Sequence, residues 1–66
     1  MEVDVDRLME LRVDKGWSQR KLAEKAGVTA TTVWKIEHGG GANAATLKKL
    51  GDALGVRASE LMRTGR

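Results

Sequence analysis

The sequence predicts an all-α domain of five short helices. Three observations lead there. The 66 residues contain no proline, phenylalanine or tyrosine, and every strand-like run is too short to build a sheet. Apolar residues recur at spacings of three and four, the period of one helix face. Glycines interrupt that pattern at Gly16, Gly27, residues 39–41 and Gly55, where helices of this size end.

Each element follows from its own residues. Val5, Leu8 and Leu11, with Met9 beside them, predict a first helix over about residues 3–15, stopped by Gly16. Ser18 is placed to cap a second helix, whose inner face is Leu22, Ala23 and Ala26 and which Gly27 ends. Thr29 caps a third helix that buries Val33 and Ile36. Residues 39–41, all glycine, form a flexible loop. Asn43 caps a fourth helix with Leu47, Leu50 and Leu54 inward and Ala53 alongside, ending at Gly55. Val56, Ala58, Leu61 and Met62 predict a short fifth helix. Residues 64–66 should fray.

Composition narrows the function. A chain this short is expected to be a single domain, residues 1–66, with a modest core and marginal stability unless it packs well or dimerises. It has no cysteine, so disulfides, thiolate metal sites and cysteine nucleophiles are excluded. His38 is the lone histidine. There is no carboxylate cluster at metal spacing and no glycine-rich loop following a strand. No enzymatic activity, cofactor or metal is therefore expected. No apolar run approaches the ~20 residues that span a bilayer, and the acidic start lacks the apolar stretch of a secretory signal. The expected location is the cytoplasm.

The net charge of +3 is unevenly spread. Residues 1–14 carry −3, residues 15–49 carry +5 and residues 50–66 carry +1. A basic block is what a polyanion-binding face requires, although lysines also serve to solvate exposed helices.

Residues 18–38 meet the demands of a helix-turn-helix. Two helices that cross closely need a small residue at the crossing, which Ala23 supplies. The turn needs positive φ four residues later, which Gly27 tolerates. Val28 is the apolar residue tucked beneath the turn. The third helix shows Val33 and Ile36 to the core and leaves its opposite face free.

With those residues in place, the chain resembles the Cro/phage-repressor (XRE-like) helix-turn-helix family. The run from Gly16 to Thr29 carries the match, and Val33, Ile36, Glu37 and Gly39 continue it. So do the run from Asn43 to Leu50 and the residues Ala53, Leu54, Gly55 and Val56. The resemblance covers about residues 7–62. It implies a five-helix lambda-repressor-like fold and a homodimer on near-palindromic double-stranded DNA, with the third helix in the major groove. Nucleoid association when bound to DNA follows from that.

By the same resemblance Gln19, flanked by Ser18 and Arg20, opens the second helix at a DNA phosphate. Otherwise Gln19 is an exposed polar residue of a first turn. Thr29, Ala30, Thr31 and Thr32 start the third helix, where the family reads bases; a threonine hydroxyl bonds base edges and its methyl touches thymine. Thr29 is mainly a cap, so Thr31 and Thr32 are the better candidates. Lys35, one turn on, reaches a guanine edge or a phosphate. Asn43 and the backbone of residues 39–41 face a phosphate, or the glycines are a plain linker. Lys48 and Lys49 are solvated helix charges or graze DNA. Trp17 fills an apolar slot of the core.

Three positions depart from the family pattern. Trp34 stands where a small polar residue is usual. It lies against sugar-phosphate, buries one edge on the helix, or belongs to a protein partner. Arg57 replaces a Ser/Thr cap, and Ala44 replaces a larger apolar residue, which predicts a thin core there. The family also pairs a first-helix arginine with the glutamate ending the third helix. The matching residues, Arg12 and Glu37, are expected to form a partly buried structural salt bridge.

The leading function is a sequence-specific, repressor-like transcriptional regulator. Its dimer contact is expected around Val56, Leu61 and Met62. The competing function is a protein-interaction module, an antitoxin or adaptor, for which Trp34 is the recruiting feature.

Overall fold

The computed structural model describes residues 2–63. It contains four α-helices: α1 (Val5–Asp14), α2 (Gln19–Ala26), α3 (Ala30–Glu37) and α4 (Ala44–Leu54). A single 3-10 turn, Ala58–Leu61, follows them.

Every α-helix begins on a side chain that accepts a hydrogen bond from a first-turn N–H. Asp4 accepts from Arg7, Ser18 from Lys21, Thr29 from Thr32 and Asn43 from Thr46. Such a cap is worth about 1 kcal/mol, which matters for helices of two to three turns that would not persist alone. The first helix starts two residues later than its apolar spacing predicts, because Asp4 takes the capping position. Val3 instead pairs with Met62 in an isolated antiparallel bridge. Asp4 N–H donates to the Leu61 carbonyl at 2.8 Å, and Arg63 N–H donates to that of Glu2 at 3.1 Å. The two ends of the described chain are thereby tied together.

That pairing also explains why the fifth element is a 3-10 turn and not an α-helix. Arg57 has no side-chain acceptor to cap it; its own N–H is instead bonded by the Glu60 carboxylate at 3.2 Å. After four residues the chain is drawn into extended backbone at Met62, φ −91° and ψ 140°, to meet Val3. The predicted fraying of residues 64–66 lies outside the described residues.

One cluster forms the core: Val3, Leu8, Leu22, Ala23, Val33, Ile36, Leu47, Leu50, Leu54 and Leu61, each at most 4% exposed. It draws at least one residue from every element. Leu61 is fully buried within it, so it cannot serve as the dimer contact expected of it. Val56 and Met62 are half-buried against the same core. Met9 does not join Leu8 inside but stands 39% exposed, next to Val13 at 61% one turn on. Ala44 is exposed; the small apolar residue that packs at this end is Ala42.

The helix-turn-helix closes through Gly27. Its φ of +76° is a left-handed conformation, and its N–H and that of Val28 both bond the Ala23 carbonyl, at 2.9 and 3.0 Å. These bonds satisfy the end of α2 and turn the chain sharply into α3. Ala23, 2% exposed, sits in the core beside Leu22, and Val28 packs against the same cluster.

Candidate nucleic-acid interface

With Val33 and Ile36 buried, the helical period sets the opposite side of α3. Thr31, Trp34, Lys35 and His38 lie there, and all four are exposed. The N-termini of α2 and α4 approach α3 from two sides. At its C-terminal end, Gln19 Nε2 donates to Glu37 Oε1 at 2.8 Å. On its flank, Thr32 and Lys35 line a crevice of about 220 Å³ together with Gly40, Gly41, Asn43 and Thr46. One helix with an exposed polar and basic face is thus flanked by two helix starts. Each start offers unpaired N–H groups and the positive end of its dipole to an anion.

The buried anchor of this arrangement is Glu37, whose side chain is 2% exposed. Arg12 reaches it from α1 with two parallel bonds, Nε to Oε2 at 2.7 Å and Nη2 to Oε1 at 3.1 Å. Arg12 Nη1 also donates to the Trp17 carbonyl at 2.8 Å. Glu37 therefore ties α3 to α1 and to the start of α2 through one carboxylate. Among the described residues no buried side-chain polar atom lacks a partner.

The remaining site residues sort by what their side chains already do. Ser18 and Asn43 are caps, accepting from Lys21 and Thr46 at 3.0 and 2.8 Å. Their own donors, the Ser18 hydroxyl and the Asn43 amide, are left for an outside acceptor. Arg20 is exposed beside Gln19. Thr29 accepts from Thr32 N–H at 3.1 Å, and the two hydroxyls lie 2.9 Å apart. Thr32 is thus half-buried and tied to its cap, whereas Thr31 is exposed, as is Ala30. Lys48 pairs with Asp52 along α4 at 2.8 Å; both are exposed, so the pair adds little stability. Trp17 is half-buried on the core, with the ammonium groups of Lys15 and Lys25 at 5.3 and 6.0 Å from its ring centre.

Trp34 does not bury an edge against the core. It is 51% exposed and stacked on His38, with ring centres 3.9 Å apart and planes inclined by 21°. His38 Nδ1 lies 2.8 Å from the Trp34 carbonyl oxygen. The sequence holds a signal for this pair that the reading of single positions misses: two aromatic rings spaced i, i+4 on the side of a helix away from its apolar stripe. Among the described residues no group of acidic, histidine or cysteine side chains could hold a metal ion.

The fold and the exposed α3 define a helix-turn-helix domain. The helix-turn-helix family HTH_3 matches residues 8–61, and the chain belongs to it, in its Cro/C1-type (XRE-like) branch of DNA-binding transcription regulators. Solved structures agree. The restriction-modification controller protein C.AhdI from Aeromonas hydrophila is 36% identical, with a TM-score of 0.81 over 88% of this chain and 89% of its own. A hypothetical transcription factor from Neisseria, NHTF, is 33% identical with a TM-score of 0.80, over 85% of this chain and 64% of its own. SinR, a master regulator for biofilm formation solved in complex with DNA, is 32% identical with a TM-score of 0.76, over 83% of this chain and 90% of its own. Among curated proteins none matches.

Proposed function

We propose that this chain is a sequence-specific, repressor-like transcriptional regulator that binds a near-palindromic operator as a homodimer, with α3 in the major groove. The observation that carries this reading is the flanking of an exposed α3 by the N-termini of α2 and α4. In the groove, α3 offers Ala30, Thr31, Thr32, Trp34 and Lys35 to base edges, with Thr29 as cap. The starts of α2, with Ser18, Gln19 and Arg20, and of α4, with Asn43, take the phosphates on either side. The domain acts as one unit in the cytoplasm, associated with the nucleoid when bound. The C.AhdI and SinR likenesses support the regulatory reading.

The dimer contact falls at the 3-10 end, on the outward parts of Val56 and Met62 and the exposed residues Arg57, Ser59 and Arg63, because Leu61 is committed to the core. A second reading, an antitoxin or adaptor, is favoured by the half-exposed Trp34, which would then hold a protein partner.

A binding titration against fragments of the source genome tests the first reading. The protein should select a palindromic site. Its affinity should fall about a thousandfold between 50 and 200 mM salt if six phosphates are neutralised. Uniform affinity for all fragments would overturn specific regulation.

A further inference from the structure

We infer that Trp34 is a specificity-determining residue that reads the C5-methyl group of a pyrimidine in the major groove, with His38 as the positioning residue that holds the indole ready. The inference rests on the proposed DNA-binding role of α3 and adds to it a particular chemistry. On the outward side of α3, Thr31 offers a hydroxyl with a small methyl and Lys35 a point charge. Only Trp34 offers a broad apolar surface there, and it is 51% exposed. An aromatic surface of this size gains free energy when an apolar counterpart covers it. In the major groove the apolar feature of a base pair is the C5-methyl of thymine, or of 5-methylcytosine.

The indole is also held in place. A free tryptophan on a helix surface samples several rotamers, and ordering it on binding would weaken the contact. Here the His38 ring stacks on it at 3.9 Å, and His38 is itself tied back to the Trp34 carbonyl through Nδ1 at 2.8 Å. The stack occupies one face of the indole and leaves its rim and the other face for the groove.

The test uses the duplex recovered by genomic selection. Each thymine is replaced in turn by deoxyuridine, which removes the C5-methyl and leaves the Watson–Crick edge unchanged. Separately, each cytosine is replaced by 5-methylcytosine. Losing one methyl from an apolar contact should weaken binding about fourfold. At one position per half-site, the intact protein should show that loss with deoxyuridine, or the matching gain with 5-methylcytosine. The two arms tell which pyrimidine is read. W34A should bind the parent duplex less tightly and show no response at that position, while H38A should show a reduced response. W34F, which keeps an apolar ring, should retain part of it. Thermal unfolding of the variants checks that these exposed substitutions leave the fold intact. The inference is overturned if no methyl substitution changes affinity, or if W34A keeps the profile of the intact protein, which would leave Trp34 to a protein partner. If no duplex is selected at all, the DNA-binding reading fails first, and that result is distinct from a selected but methyl-insensitive duplex.

Discussion

Glu37→Ala is expected to remove about 3–5 kcal/mol of folding stability, because it strands a buried arginine. The Arg12 side chain is 13% exposed and that of Glu37 only 2%, so the carboxylate has almost no water to fall back on and the guanidinium has little. The carboxylate accepts two bonds from Arg12 and one from Gln19. Truncating it leaves the guanidinium with a single partner, the Trp17 carbonyl. In a domain this small each kcal/mol shifts the melting temperature by about 4–8 °C, so the variant should melt at least about 12 °C lower. Circular dichroism melts check this. Glu37→Gln keeps the shape but removes the charge, and it should show a smaller but clear drop. An unchanged melting temperature for Glu37→Gln would mean that the pair is solvated. The double change Arg12→Met with Glu37→Leu should recover much of the loss, since an apolar pair of similar volume often matches a buried ion pair. In any folded Glu37 variant Gln19 also loses its tether, so the start of α2 is less firmly set against α3.

Gly51→Ala is expected to destabilise the domain although it puts the best helix former in a helix. Gly51 is buried in the middle of α4. A Cβ there would lie 2.7 Å from the Val56 carbonyl oxygen and 3.2 Å from the Ala58 nitrogen. Both are backbone atoms that cannot swing aside. The Val56 segment is pinned by its own N–H to the Gly51 carbonyl at 2.9 Å, and by Gly55 in the left-handed conformation at φ +77°. Helix propensity favours alanine by about 1 kcal/mol. Overpacking costs about 1–3 kcal/mol, and here the strained atoms belong to the turn that seats Leu61 in the core. Because the strained atoms are backbone, the clash should win, with a net loss of up to about 2 kcal/mol. Urea unfolding would show it as a lower midpoint. A rise in the midpoint would mean that the turn after α4 is free to move.

These two cases show where the sequence speaks and where it is silent. Gly27, Ala23 and Val28 are legible because the helix-turn-helix imposes its demands within a few residues of each other. The four α-helical caps are equally local, although Asp4 hides among three acids near the chain start and the apolar spacing carries the predicted helix past it. Gly51 is illegible, since what forbids a side chain there is a backbone carbonyl five residues on, brought back by a turn. The bridge between Val3 and Met62 spans the chain, and no short pattern announces it. That one pairing turns the expected fifth helix into a 3-10 turn. Leu61 was readable as apolar but not as inward, because a single turn has too few residues to define a face. At the candidate site the composition of α3 was visible, and its internal bonds were not. Thr32 is held by Thr29, Gln19 by Glu37 and Trp34 by His38.

The proposed DNA-binding surface consists of α3 and the N-termini of α2 and α4 that flank it. It is tested most directly by following backbone amide resonances while the selected duplex is added. The largest changes should fall on residues 18–20, 29–35 and 41–43, with His38 included. Helix α1, including Met9 and Val13, should stay quiet. Changes concentrated on the exposed face of α1, with α3 unaffected, would contradict the account.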